Sequence, residues 1–293
     1  MKLGFVGPTL VVLITLNLFP LFYNVVLGFT DAELSQSDYS FVGAKNYARI
    51  FDVLTSPKFG DALRTTGVFV VVAVTIELLL GFCLALLLRP KFKGKSALLT
   101  LLLVPMMLSP AVMGLFWNLI LSAHNGILNQ ALGAVGIDGP HWLTDPKLKL
   151  VAVLLVDIWM WTPYMMLIAL AGLNAIPDYI YEAAEIDRAS AWTVFRRVTL
   201  PMCAPLLFLA VLFRMTDALK QFDLVMALTG PNDGATQTLS ALLYQLTFAN
   251  QKVGLGSAYA CVVLVVVIAL ASVFTRYLDW LAKKQGRLAM EGA

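Results

Sequence analysis

The stretch YEAAEIDRASAWTVFRRVTLP, residues 181–201, is a charged segment that lies between two long apolar runs. The runs on either side, 148–171 and 201–224, are each long enough to cross a bilayer, which takes roughly 20 apolar residues. Within the stretch, apolar residues recur at helical spacing in two blocks that break near Asp187. The sequence therefore predicts two short amphipathic helices at a membrane surface, and such a charged hairpin needs a partner on the aqueous side.

The whole chain has the composition of a membrane protein. Of its 293 residues, 59% are hydrophobic and 13% are charged, and the mean hydropathy is +0.81. A soluble domain is about half apolar and about a quarter charged. Six apolar runs qualify as transmembrane helices: 3–29, 66–88, 98–121, 148–171, 201–224 and 259–278. We predict an all-α polytopic membrane protein with about six spans, formed by a single domain over 1–293, with the hairpin over 172–200 between spans four and five.

The distribution of basic residues in the loops predicts the orientation. They gather in the loop after span two, in the hairpin and in the tail: Arg89, Lys91, Lys93, Lys95, Arg188, Arg196, Arg197, Arg276, Lys283, Lys284 and Arg287. Short loops rich in Lys and Arg stay in the cytoplasm. An even number of spans places all three clusters on that side, so both termini are predicted to be cytoplasmic.

Composition also argues against several other classes of function. A formal net charge of only +3 gives no reason to expect nucleic acid as a partner. Cys83, Cys203 and Cys261 lie in or beside apolar runs, without disulfide or metal spacing. His124 and His141 are isolated in polar loops, so we expect no metal site.

One short motif imitates a nucleotide-binding loop. Gly94-Lys95-Ser96 matches the end of a P-loop, but that motif needs a glycine five residues before Gly94, and Arg89 stands there. The segment also follows a predicted membrane helix instead of a strand. We therefore expect this chain to bind no ATP itself.

The hairpin contains residues that are typical of helix starts, one set for each of its two helices. Pro177 suits the first position of a helix, and Asp178 just after it favours the positive end of the helix dipole. Ser190 is placed to cap a second helix, which carries Trp192 on its apolar face. An alternative is that the hairpin lies flat on lipid. The acidic first helix favours a protein partner instead, because anionic lipid attracts basic faces.

The hairpin resembles the loop motif of the inner-membrane permeases of ATP-binding-cassette importers of the sugar type. Glu182-Ala183-Ala184, Asp187, Ala189, Val198 and Leu200-Pro201 all fall at the spacing of that motif, whereas Arg188 stands where the family has glycine. The resemblance implies the fold of a type I importer permease, with this hairpin as a coupling helix docked into an ATPase subunit. The residues it implies for that contact are Glu182, Ala183, Ala184, Asp187, Arg188 and Ala189.

Two further segments narrow the resemblance to the MalF/UgpA-like permeases. They are Phe222-Asp223 with Leu228-Thr229-Gly230-Pro231 and Thr236, and Phe41-Val42-Gly43-Ala44-Lys45-Asn46-Tyr47. One glycine of the family's Gly-Gly-Pro is missing. The resemblance implies a bacterial inner-membrane location and four kinds of partner: a second, MalG-like permease, two ATPase subunits, an extracytoplasmic solute-binding protein and the lipid bilayer. It implies no cofactor in this chain, because the ATPase partners bind ATP and magnesium.

Ionisable residues inside spans are costly and are by default candidates for function. They are Glu77 in span two, Asp157 in span four, and Arg214, Asp217, Lys220 and Asp223 in span five. Helical offsets allow Arg214 to pair with Asp217, and Lys220 with Asp223. These residues either line a substrate path or form structural pairs that face the second permease.

Span four adds aromatic residues to these candidates. Asp157 offers acceptors to sugar hydroxyls, and Trp159 or Trp161 offers a flat apolar face to a pyranose ring. Tyr164 is a further candidate for the substrate path. An aromatic belt with ordinary core packing is the alternative. A kinked helix is predicted around Pro105-Met106-Met107-Leu108-Ser109-Pro110, as a gate or as packing.

The sequence thus predicts a permease subunit that imports a carbohydrate-type solute (a sugar, polyol, or sugar or glycerol phosphate) by alternating access. No residue of the chain is expected to be catalytic. A secondary transporter driven by an ion gradient, with Glu77 or Asp157 as proton carrier, is the alternative, and it leaves the charged hairpin unexplained. A membrane-embedded enzyme has no supporting motif.

Overall fold

The computed structural model of the chain describes the backbone of residues 2–291 and the side chains of residues 6–277. In this part of the chain, regular secondary structure is helical apart from one isolated bridge between Thr30 and Phe41. The first seven helices are α1 (Lys2–Leu13), α2 (Phe19–Leu27), α3 (Lys45–Leu54), α4 (Pro57–Leu88), α5 (Lys95–Met107), α6 (Pro110–Ile120) and α7 (Ile127–Ala134). The next seven are α8 (Pro146–Asn174), α9 (Asp178–Ile186), α10 (Ala191–Val194), α11 (Leu200–Ala218), α12 (Asp223–Leu228), α13 (Leu239–Tyr244) and α14 (Val253–Glu291). Three π-helical turns adjoin them, at Ile14–Leu18, Phe195–Thr199 and Gln245–Ala249.

Five segments among the described residues are long and apolar enough to cross a membrane. They are Val6–Leu27, Pro57–Leu88, Pro146–Asn174, Ala191–Ala218 and Val253–Tyr277. A sixth is the pair α5 and α6, which are bent by 96° at a short break. The prediction of an all-α protein with about six spans is therefore confirmed. The predicted kink is also present, because Leu108 and Ser109 are extended and Pro110, which has no N–H to donate, opens α6.

The predicted end of the fifth span, at residue 224, is wrong. α11 stops at Ala218 and α12 starts at Asp223, so Lys220 lies in a turn between two helices. Lys220 and Asp223 therefore do not face each other across one helical turn, and no ion pair joins them among the described residues. The other predicted pair is confirmed, since Arg214 Nη1 lies 3.2 Å from Asp217 Oδ2.

The chain divides by its internal contacts into two compact units. One comprises Met1–Arg64 with Pro231–Ala269, and the other comprises Thr65–Gly230 with Leu270–Ala293. Whether residues 1–293 act as a single permease domain stays a prediction. The basic tail residues Lys283, Lys284 and Arg287 lie outside the described side chains.

The first unit contains the motif at residues 41–47, and the structure shows what the glycine and the asparagine of this motif do. Gly43 has a φ of +59°, a left-handed conformation that glycine adopts without strain. The buried Asn46 amide donates to the carbonyl of Gly28 over 3.1 Å and to that of Thr30 over 2.7 Å. These two bonds hold the loop that follows the first span against α3.

Tyr47, the last residue of the same motif, packs on the end of the first span. Its ring centroid lies 4.8 Å from that of Phe29. Loss of water around the phenol raises the pKa of Tyr47 to about 12, so it stays protonated at neutral pH. The motif therefore has a structural role in this unit.

The second unit packs α4, α5 and α11 around α8. Its core holds Ala85, Leu88, Met166, Ala169, Leu170, Leu173, Ile176, Cys203 and Leu207. Gly81 allows α4 to approach α8 closely, because a Cβ there would lie 2.6 Å from Cβ of Met165. This close approach brings Glu77 of α4 within reach of side chains on α8 and α11.

Candidate functional site

The hairpin forms as its capping signals predicted, with one correction. Ser190 caps α10, since its hydroxyl accepts a hydrogen bond from the backbone N–H of Thr193 over 3.2 Å. Pro177 is the N-cap of α9, in extended conformation, and Asp178 is the first helical residue. The sequence placed Pro177 at the first helical position, which is one residue too far into the helix. Asp178 still lies in the first turn, where its carboxylate favours the positive end of the helix dipole.

Arg188 adopts a conformation that glycine adopts without strain. Its φ is +50°, in the left-handed region. The N–H of Arg188 donates to Glu185 O over 3.0 Å, and the N–H of Ala189 donates to Ala184 O over 2.9 Å. This is the pair of bonds of a Schellman motif. The turn between the helices is therefore retained, with a side chain at a position where a left-handed backbone costs about 1–2 kcal/mol.

One face of α9 is anchored to the rest of its unit. The guanidinium carbon of Arg89 lies 3.9 Å from the centroid of the Tyr181 ring. The Tyr181 hydroxyl lies 3.2 Å from that of Thr199, at the start of the next span. Asp178 approaches Arg89 only at 4.0 Å and is almost fully exposed, so that pair adds little.

The opposite face of α9 is open. Tyr179 is 68% exposed and Ile186 is 82% exposed, with Glu182 between them on the same side of the helix. Of the predicted contact residues, Glu182, Ala183, Asp187 and Arg188 are exposed, while Ala184 and Ala189 are half-buried. The hairpin therefore presents an acidic and apolar surface that another protein could cover.

A second cluster of candidates lies inside the spans and is built around Arg214. Its Nε lies 2.9 Å from Glu77 Oε2, and its Nη2 lies 3.0 Å from Glu77 Oε1. Nη2 also donates to Asp157 Oδ2. The side chains of Arg214, Glu77 and Asp157 are at most 1% exposed, whereas that of Asp217 is 58% exposed. Helices α4, α8 and α11 thus share one buried guanidinium between two buried carboxylates.

This cluster supports the wall of a small cavity. The Arg214 guanidinium carbon lies 4.9 Å from the centroid of the Trp161 ring, and the Gln221 amide donates to Asp157 Oδ1 over 2.9 Å. The cavity has a volume of about 300 Å³ and is lined by Met106, Leu108, Pro110, Trp161, Asp217, Lys220, Gln221, Phe222 and Asp223. Its wall offers an aromatic face, carboxylates, an amide and an ammonium group.

The structure places the predicted substrate-path residues in four different surroundings. Trp161, Asp217, Lys220 and Asp223 line the cavity, and Glu77, Asp157 and Arg214 lie behind it. Tyr164 lies beside Trp161, with the ring centroids 6.2 Å apart. Trp159 points elsewhere, into an apolar cleft of about 940 Å³ where its ring centroid lies 5.5 Å from that of Trp117. Sequence reasoning missed Gln221, whose only signal was its place directly before Phe222-Asp223.

Comparison with known proteins identifies relatives along most of the chain. Residues 77–286 match the family described as binding-protein-dependent transport system inner membrane component. The chain is 37% identical over 257 residues to the probable ABC transporter permease protein y4oQ of Sinorhizobium fredii, covering 86% of this chain and 82% of that protein. It is 35% identical over 236 residues to the trehalose/maltose transport system permease protein MalF of Thermococcus litoralis, covering 80% and 79%.

A solved structure shares the fold. It is the crystal structure of a bacterial ABC transporter involved in the import of the acidic polysaccharide alginate. The two chains superpose with a TM-score of 0.81 at 21% identity, covering 94% of this chain and 93% of the other.

Proposed function

The chain belongs to the family of binding-protein-dependent transport system inner membrane components, and on that premise we propose that it is the permease subunit of an ATP-driven importer for a carbohydrate-type solute. The observation that carries the proposal is the match over residues 77–286, which includes both the coupling hairpin and the charged cavity. The protein crosses the membrane several times. Its solute would pass by alternating access between the two aqueous sides.

The carbohydrate class is supported from two directions. One relative is a trehalose/maltose permease, at 35% identity. The cavity beside Trp161 also has suitable chemistry, because an indole face packs on the apolar side of a sugar ring. Asp217 and Gln221 offer acceptors and donors to its hydroxyl rim. We propose that this cavity is part of the solute path, with Arg214 holding Trp161 and Asp217 in position from behind.

The energy would come from other subunits. We propose that two ATPase subunits bind ATP and magnesium, that a second, related permease completes the transmembrane path, and that an extracytoplasmic solute-binding protein delivers the solute. The exposed face of Tyr179, Glu182 and Ile186 would dock on the ATPase. The chain would then need no cofactor of its own and would carry out no covalent chemistry.

The hairpin must face the cytoplasm for this mechanism to work. The proposed location is the bacterial plasma membrane, with both termini cytoplasmic. The basic residues that follow α4 and flank α10 support this orientation, since short cytoplasmic loops are enriched in Lys and Arg.

Reconstitution tests the proposal directly. Proteoliposomes that contain this chain, its second permease and the ATPase subunits should take up radiolabelled disaccharide only when the binding protein is outside and ATP is inside. An ionophore that collapses the proton gradient should leave uptake unchanged. Uptake that needs no ATPase subunit and stops with the ionophore would instead support a secondary transporter.

The two tryptophans of span four provide a test variant and a matched control for the proposed solute path. Trp161→Ala should lower uptake by about tenfold at limiting solute, because it removes the aromatic face of the cavity. Trp159→Ala removes an equal side chain, two residues away, from the apolar cleft. It should leave uptake within about twofold of the unmodified protein. An equal loss in both variants would show that span four contributes only packing.

A further inference from the structure

A small cavity on the second helix of the hairpin combines two arginines with a tryptophan. It has a volume of about 400 Å³ and is lined by Trp192, Thr193, Arg196 and Arg197. We infer that this cavity binds the phosphate headgroup of an anionic phospholipid from the cytoplasmic leaflet. Only the choice of leaflet rests on the proposed function.

The helical register places these four side chains together. Trp192 and Arg196 are four residues apart, as are Thr193 and Arg197, so both pairs project from one side of the helix. The turn from Phe195 to Thr199 is π-helical and ends two residues before Pro201, which has no N–H to donate to the carbonyl of Arg197. Both arginine side chains line the same cavity, on the turn that immediately precedes α11.

Neither guanidinium has an anionic partner in the part of the chain that the structure describes. Arg196 and Arg197 are exposed, and neither makes an ion pair with a carboxylate there. The acidic residues of the hairpin lie on α9 and at its end, on the other side of the turn at Arg188. Two unpaired cations that line one cavity attract an external anion. A guanidinium group can donate two parallel hydrogen bonds to a phosphate.

The remaining two side chains suit the same ligand. The Thr193 and Ser190 hydroxyls lie 2.8 Å apart, and Ser190 Oγ already accepts from Thr193 N–H. If Ser190 donates to Thr193, the Thr193 hydroxyl proton is free for a phosphate oxygen. The Trp192 ring is 66% exposed and stacks on Phe195 at 5.5 Å. Exposed indoles favour the headgroup level of a bilayer.

The position of the two arginines in the chain favours a lipid phosphate over a protein carboxylate as their ligand. Arg197 lies three residues before Leu200, where the apolar helix α11 begins. A basic side chain this close to a membrane entry lies within reach of headgroups, and the cytoplasmic leaflet is negatively charged. The face proposed for the ATPase lies on α9 and is acidic and apolar, which assigns the two helices of the hairpin to different partners.

Lipid retention tests the inference without any ATPase or transport measurement. The full chain is placed in nanodiscs of phosphatidylcholine mixed with phosphatidylglycerol, and retained lipid is identified by native mass spectrometry after detergent exchange. Phosphatidylglycerol should be retained preferentially. Arg196→Gln combined with Arg197→Gln should weaken this retention by about 30-fold. Arg188→Gln, at an exposed arginine of the same hairpin, should leave it unchanged.

Three results would overturn the inference. They are unchanged phosphatidylglycerol retention in the double variant, equal retention of phosphatidylcholine and phosphatidylglycerol by the unmodified chain, and equal weakening by Arg188→Gln. If the double variant keeps its lipid and instead loses co-purifying ATPase, the arginines bind protein carboxylates and the lipid site is wrong. Failure of ATP-driven uptake alone would count against the proposed function and leave the lipid result standing.

Discussion

Glu182→Lys is expected to abolish the stimulation of ATPase activity by solute-loaded binding protein, while the protein stays inserted in the membrane. Glu182 lies on the open face of α9, between Tyr179 and Ile186. Reversing its charge at the centre of a docked interface removes a favourable contact and adds a repulsive one, which together cost several kcal/mol. Each 1.4 kcal/mol is about a tenfold loss of affinity, so stimulated hydrolysis should fall to the basal rate.

The matched control for that variant is Glu185→Lys. Glu185 is exposed, carries the same charge and lies on the same helix. At about 100° per residue it lies about 60° around the helix from Glu182 and about 120° from Tyr179, so it is at the edge of the face that Tyr179, Glu182 and Ile186 share, where a charge contributes less than at the centre. ATPase activity in proteoliposomes should remain mostly stimulated in this variant. Equal losses in the two variants would indicate that the net charge of the hairpin matters, and unchanged coupling in Glu182→Lys would contradict the docking role of this face.

Arg214→Met is expected to be among the most destabilising single changes in the second unit. It removes the cation that both Glu77 and Asp157 contact, and those two carboxylates are at most 1% exposed. Breaking a buried ion pair by removing one partner costs about 3–5 kcal/mol. The thermal unfolding midpoint of the purified protein should fall sharply, with reduced yield from the membrane.

Two comparison variants separate charge from packing. Asp217→Asn removes a carboxylate that is 58% exposed, and its loss should cost less than about 1 kcal/mol. Glu77→Gln and Asp157→Asn, combined with Arg214→Met, neutralise the whole buried cluster and should recover most of the lost stability. If this triple variant is no more stable than Arg214→Met alone, lost packing and not unpaired charge accounts for the effect.

The local features of this fold could be predicted from the sequence because their causes are local. The Ser190 cap, the turn near Arg188 and the pairing of Arg214 with Asp217 each depend on residues three to five positions apart. The apolar runs likewise gave the number of spans. Hydropathy did not give their true lengths, since α4 extends back to Pro57 through the charged residues Lys58 and Asp61.

The arrangement of the cavity could not be predicted, because it depends on contacts between distant segments. Glu77 and Arg214 are 137 positions apart, and Asp157 and Arg214 are 57 positions apart. Trp159 and Trp161 project about 200° apart on α8, and the sequence does not indicate which of them faces the charged cavity and which the apolar cleft. The end of α11 at Ala218, which removes Lys220 from its predicted pairing, also has no clear local signal.

The buried ion pairs also have a consequence for biogenesis. Glu77 enters the membrane long before Arg214, which follows it by 137 positions in the chain. A charge at the centre of an inserting helix costs about 2.5–3.5 kcal/mol at the translocon. Span two and span four would each have to leave the insertion channel with an uncompensated carboxylate. We expect them to be retained beside the channel until α11 is synthesised, so that the three helices are released into the lipid together.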